Sequence, residues 1–179
     1  MSVEGAFLTG LARRTIERWT TSRSVEPVPD EVPESLRCAA ACFVSIKTDS
    51  GDLRGCMGTL EPMCASLAEE VIKNAVSACS EDPRFPPVGS AETASLRLSV
   101  DVLSVPEEVL SVAELNPDVY GIIVRSGYRR GVLLPDLQGV ETVAHQIGIA
   151  MQKAGIPLDT DMEDVELFRF TVRRFPESI

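Results

Sequence analysis

Residues 53–59 read Leu-Arg-Gly-Cys-Met-Gly-Thr. In an extended strand Arg54, Cys56 and Gly58 share one face, and Leu53, Gly55, Met57 and Thr59 share the other. A guanidinium favours thiolate over thiol in a neighbouring cysteine, and thiolate is the form that attacks electrophiles. Bare glycines on either side remove side chains that would obstruct a ligand. Cys56 and Arg54 are therefore candidate catalytic residues, with Gly55, Gly58 and Thr59 as candidate ligand contacts. The same residues also admit a packing reading, in which the glycines allow close approach or a bulge and Cys56 is one more small buried side chain.

A second stretch, Glu-Asp-Pro-Arg-Phe-Pro-Pro-Val, occupies residues 81–88. Its prolines stiffen a short loop that carries opposite charges on Asp82 and Arg84. Such a loop can hold Arg84 over an anionic or carbonyl group, which makes Asp82 and Arg84 candidate ligand contacts. It can equally be a stiff lid, with Asp82 bonding its own backbone and Phe85 plugging the sheet. His145 is the only histidine. It falls opposite the apolar stripe of a predicted 140–154 helix, so it should be exposed, and a Cys–His hydrolase is poorly supported. Acid–base work would fall to Arg54, Asp82, Glu61 or Glu141.

The five cysteines, at 38, 42, 56, 64 and 79, include no Cys-x-x-Cys pair. An odd count opposes a disulfide framework, and a zinc or iron–sulfur site is only weakly supported because no matching Cys or His pair follows Cys38 and Cys42, so reduced thiols and no bound metal or cofactor are expected. A chain of 179 residues, 44% hydrophobic and 25% charged, reads as one domain over 1–179 with an ordinary globular composition. A formal net charge of −10 opposes non-specific nucleic-acid binding. Arg125, Arg129, Arg130, Arg169, Arg173 and Arg174 could form a local basic patch or simply a solvated face. No apolar run reaches membrane-spanning length and the first residues lack a secretory pattern, so a cytoplasmic location with no membrane contact is expected.

The elements that must hold these residues follow from periodicity. Phe7 to Trp19 predicts a helix, followed by a proline-rich connection. Cys42 to Ile46 and Leu53 to Thr59 predict a hairpin. Ser66 to Cys79 predicts a helix with capping-box spacing at Ser66 and Glu69 and with Cys79 in the core. Leu96 to Val102 alternates as a strand, and "GIIVRSGYRRGVLLPD" reads as a second hairpin with Gly127 near its turn. Val140 to Ala154 predicts a helix closed by Gly155, with an apolar stripe of Val140, Val143, Ala144, Ile147 and Met151. Phe168, Phe170 and Val172 predict one final strand. Hairpins between flanking helices, without regular βαβ units, give an α+β fold around a mostly antiparallel sheet.

Three stretches, "FVSIKTDSGDLRGCMGTLEP", "SACSEDPRFPPV" and "RGVLLPDLQGVETVAHQIGIAMQKAGI", together resemble the AMMECR-one domain family, and the likeness runs nearly end to end. The resemblance implies an α+β fold with a larger and a smaller lobe and the 53–59 motif near a cleft between them. Carried over by position, the family motif residues are Leu53, Arg54, Gly55, Cys56, Gly58 and Thr59, then Asp82, Pro83, Arg84 and Phe85. Met57 stands where isoleucine is common, and Met151 where many relatives have a cysteine, which counts against a two-cysteine mechanism. "LLPDLQGVETV" is most similar to the bacterial branch, component A of the AmmeMemoRadiSam set. That implies a Memo-like protein and a radical S-adenosylmethionine enzyme as partners, with this chain as accessory.

Two functions stay open. One is a binding module that docks a partner protein or presents a small ligand or RNA segment. The other is an enzyme in which Cys56 is an Arg54-activated nucleophile, with a pocket beside it.

Overall fold

The computed structural model describes residues 2–177. In chain order the helices and strands are α1 (Val3–Ser22), β1 (Cys42–Lys47), β2 (Leu53–Gly58), α2 (Leu67–Ser80), β3 (Arg97–Leu103), β4 (Glu107–Glu108), β5 (Gly121–Ser126), β6 (Arg129–Leu133), α3 (Val143–Ala154), β7 (Glu166–Phe170) and β8 (Val172–Pro176). They form two antiparallel four-stranded sheets, ordered β2-β1-β3-β8 and β4-β7-β5-β6, so the α+β class expected from the sequence holds. The chain divides into two compact units: a larger one running to Leu103 and resuming at Arg173, and a smaller one spanning Ser104–Val172.

In the larger unit α1 starts at its Ser2 cap, whose hydroxyl accepts from the Gly5 N–H, and ends on Arg23 in the left-handed region at φ 56°. The helix thus extends beyond the predicted 7–19 core of its periodicity at both ends. Leu8, Leu11 and Ile16 of α1, Val71 and Ala75 of α2, Val44 and Ile46 of β1, and Val100 of β3 are all fully buried together. Each Leu, Ile or Val removed from water in this way contributes about 1.5–3 kcal/mol. The Ser66 side chain caps α2 by accepting from the Glu69 N–H, as its spacing predicts. The Glu69 carboxylate, however, turns back to the Ala65 N–H. Cys79 is buried in this core, as its helix face predicts.

In the smaller unit Ile122, Val124, Leu133, Ile147, Met151 and Leu167 make the core. Gly127, at φ +58°, turns the β5–β6 hairpin. Two expectations need correction here. The helix begins at Val143, not Val140, because the Thr142 hydroxyl caps it while Val140 is held in a preceding turn by Leu137. Ala144 is exposed because the buried face is rotated toward Gln146 and Ala150; Gln146 is fully buried and donates its Nε2 to the Tyr120 carbonyl at 2.8 Å. The single predicted final strand is also two strands in two sheets. The run breaks at Thr171, where the Ser104 hydroxyl and carbonyl-bonded backbone take over the pairing, so Phe170 ends β7 and Val172 begins β8.

Candidate functional site

Strand β2 lies at the outside of its sheet, paired only with β1. Its glycines are explained by packing on opposite faces. A Cβ on Gly55 would sit 2.3 Å from the Ala78 carbonyl oxygen, so α2 packs directly on the backbone there. A Cβ on Gly58 would sit 2.4 Å from the Phe43 ring. Met57 packs against the same core as α2, where an unbranched apolar side chain is easily fitted. Cys56 therefore turns away from α2, and its thiol is half-buried on the other face of the sheet. There it accepts a hydrogen bond from the Ser45 hydroxyl at 3.1 Å. Ser45 is opposite Cys56 on one side and Ser99 on the other, so three small polar side chains lie in one row across β2, β1 and β3. Ser45 and Ser99 escaped the sequence reading, although their alternation with buried Val44, Ile46, Leu98 and Val100 marks this face.

Three carboxylates from different segments fix residues 54–59. The Arg54 guanidinium donates to Glu92 at 2.7 and 3.0 Å and to the Pro86 carbonyl at 2.8 Å, which spans it from the strand to the following loop. Hydrogen bonding to Arg54 holds the Glu92 carboxyl below its ordinary value. Asp82, buried at 5% exposure, accepts the Cys56 N–H at 2.8 Å and is bound by the Arg84 guanidinium at 2.7 and 2.9 Å. Arg84 also donates to the Cys56 carbonyl at 3.2 Å. The guanidinium that bonds Cys56 is thus that of Arg84, while the hydrogen bonds of Arg54 run to the 86–92 loop. The Arg84 bonds, opposed by burial and aided by the Cys56 and Arg84 N–H groups, hold the Asp82 carboxyl far below the usual carboxylate range.

Thr59 is held by the third carboxylate. Glu70 of α2 is fully buried and accepts from the Thr59 hydroxyl at 2.5 Å and from the Met63 and Cys64 N–H groups at 2.8 Å each. Burial alone would raise this carboxyl, but the three bonds outweigh it and hold it below its ordinary value. Sequence reading missed Glu70 and Glu92. The signal for Glu70 was a charged residue inside the buried face of α2; Glu92 lies outside any motif and gave none.

The site brings together Cys56, Gly55, Gly58, Asp82 and Arg84 around one strand, with Arg54 and Thr59 tied to its two ends. His145 is exposed, as predicted, on α3 of the smaller unit. All five cysteines are free thiols; Cys38 is exposed, while burial pushes Cys42 up to about 12 and Cys79 up to about 11. Among the described residues no group of three or more His, Cys, Asp or Glu could hold a metal ion, and no helix is long and apolar enough to cross a membrane. Of the six arginines that could form a basic patch, Arg125 is in an ion pair with Glu166, Arg169 with Glu107, Arg173 with Glu4 and Arg174 with Asp101. A pocket of about 480 Å³ in the larger unit is lined by Trp19, Val25, Val28, Ile72 and Val76 among others, and by no residue of 53–59.

The AMMECR1 family model matches residues 9–175. A protein of Thermotoga maritima is 47% identical over 165 residues, covering 92% of this chain and 94% of its own length. A protein of Clostridium acetobutylicum is 44% identical over 170 residues, which cover 94% of this chain but only 35% of that longer protein. The crystal structure of the uncharacterized protein PH0010 from Pyrococcus horikoshii superposes with a TM-score of 0.88 at 31% identity, covering 99% of this chain and 93% of that one. Sequence and fold agree over almost the whole length, and the chain belongs to the AMMECR1 family.

Proposed function

We propose that this chain is a binding component that presents the Cys56 face of its larger unit to a partner protein, without turnover of its own. The observation that carries this reading is how the charged groups around Cys56 are used. Asp82 and Arg84 bond each other and the main chain of Cys56, and Arg54 bonds Glu92 and Pro86. A carboxylate held as low as Asp82 is a poor proton acceptor at neutral pH. The side chain bonded to the thiol, Ser45, acts as donor there. The result is a rigid recognition face with its charges internally satisfied.

The resemblance of "LLPDLQGVETV" to component A of the AmmeMemoRadiSam set makes a Memo-like protein and a radical S-adenosylmethionine enzyme the partners to test first. The Clostridium acetobutylicum relative adds support, since there the matching sequence is joined to about twice its own length of further chain. A module that works beside another protein gains from such tethering through effective concentration. Five free thiols and an acidic chain suit a reducing, cytoplasmic setting.

The Ser45 bond to the sulfur favours a second reading, in which Cys56 is a nucleophile toward a small anionic or carbonyl substrate. On that reading Arg54 would assist through its charge alone, since its hydrogen bonds are committed to Glu92 and the loop.

The test is size-exclusion co-elution of the purified chain with the Memo-like and radical enzymes of the same genome. Wild type should co-elute with one of them, and Ser45→Arg, which covers the row of small side chains, should not. Equal co-elution of the two, or none for wild type, would remove the binding reading.

A further inference from the structure

The backbone of β2 is irregular next to Cys56. Ile46 pairs with Gly55, but Lys47 pairs with Leu53, so the ladder skips Arg54. An extra residue of this kind bends the strand and leaves its neighbours free to turn. A one-residue change of register moves a side chain to the opposite face. Cys56 is the next outward-facing position after the skipped residue, and its N–H and C=O point away from β1, toward the side of the sheet where no strand follows.

A neighbouring strand would offer that backbone one acceptor and one donor. The Asp82–Arg84 pair offers both: Asp82 Oδ2 takes the Cys56 N–H at 2.8 Å, and Arg84 Nη2 gives to the Cys56 carbonyl at 3.2 Å. The pair is shaped before it makes those contacts. The second carboxylate oxygen of Asp82 binds the backbone N–H of Arg84 at 3.1 Å and its Nε at 2.9 Å, and Pro83, Pro86 and Pro87 stiffen the loop around them. The carboxylate side chain is only 2% exposed, whereas that of Arg84 is 54% exposed.

We propose that Asp82 and Arg84 are positioning residues for Cys56: a side-chain substitute for the missing strand that locks the register beside the skipped Arg54 and keeps the thiol on the face of Ser45. The second motif, which reads in the sequence equally as a ligand clamp or as a stiff lid, acts on the first motif's main chain. The inference rests on the proposed role of the Cys56 face, and it names what sets that face. Guanidinium geometry is required, because one group must grip the carboxylate at two points and still reach a carbonyl; an ammonium is a single point of charge.

The test is hydrogen exchange on the free protein, paired with iodoacetamide labelling of Cys56 against exposed Cys38 as internal reference. It involves no partner, so its outcome is separate from that of the co-elution assay. In Arg84→Ala and Asp82→Ala the Cys56 amide should exchange at least about tenfold faster and Cys56 labelling should change relative to Cys38, while the amides of Phe43 and Ser45, which face β3, keep their protection. Arg84→Lys should behave as Arg84→Ala. Rescue by lysine would reduce the role to charge and overturn the proposal. So would unchanged Cys56 exchange in Arg84→Ala, or an equal loss of protection across β1, which would make the pair a general prop of the fold. If Asp82→Ala does not fold, the Arg84 variants decide alone.

Discussion

Cys56 owes its position to residues that do no chemistry. Gly55 lets the Ala78 carbonyl of α2 approach the strand, and Gly58 leaves room for the Phe43 ring. Gly55→Ala should therefore cost about 1–3 kcal/mol, because the atom it meets at 2.3 Å is backbone and cannot rotate aside; urea unfolding of the variant measures it. Asp82 gives a pH signature. Its folded value lies far below the ordinary one, so its stabilisation is complete above the unfolded pKa of about 3.9 and fades as pH falls below that toward the folded value. Wild type should lose stability across that acid range more steeply than Asp82→Asn, measured by thermal melts at a series of pH values. Equal slopes would mean that the Arg84 bonds do not protect the carboxylate. That Gly55 faces α2 while Cys56 faces away from it was legible from the period of two, whereas the skip at Arg54 was not. The destination of each guanidinium was not, because Glu92 and Pro86 meet Arg54 only through the fold of an intervening helix and loop.

At the scale of elements, periodicity and caps were the legible part, and the misreadings have physical causes. α2 and the first hairpin follow from alternation and from the Ser66 cap. Val140 looked like the start of α3 because it continues the stripe, but the Thr142 cap decides where the helix begins. β7 and β8 share one alternating pattern, and nothing in a period of two reveals that the hydrogen-bond partners change at Thr171. Glu70 is the element-level prediction. Glu70→Ala removes the acceptor shared by the Thr59 hydroxyl and two loop N–H groups, and a hydrogen bond to a charged group contributes about 1.5–3 kcal/mol. The Met63 and Cys64 amides should lose exchange protection first, and a variant as stable as wild type would contradict the hub role. Gly155, at φ +67°, closes α3, and Gly155→Ala should cost about 1 kcal/mol in a thermal melt.

At the scale of the molecule the chain is two compact units with separate cores, and the candidate site belongs wholly to the larger. Family and fold class were legible from three ordered motifs, whereas the division at Leu103 and Arg173 was not, since it depends on β8 returning to the first sheet. The acidic balance of −10 works against loose contacts with phosphates, in keeping with the proposal that recognition rests on one face. The central claim is that this face binds and does not turn over. Its most direct test is calorimetric titration of the partner that co-elutes, comparing wild type with Cys56→Ser. The binding account predicts affinities within about threefold, since oxygen for sulfur keeps the row of small polar groups intact. A loss of about a hundredfold or more in Cys56→Ser, or a turnover that vanishes with the thiol, would contradict it and make Cys56 a nucleophile.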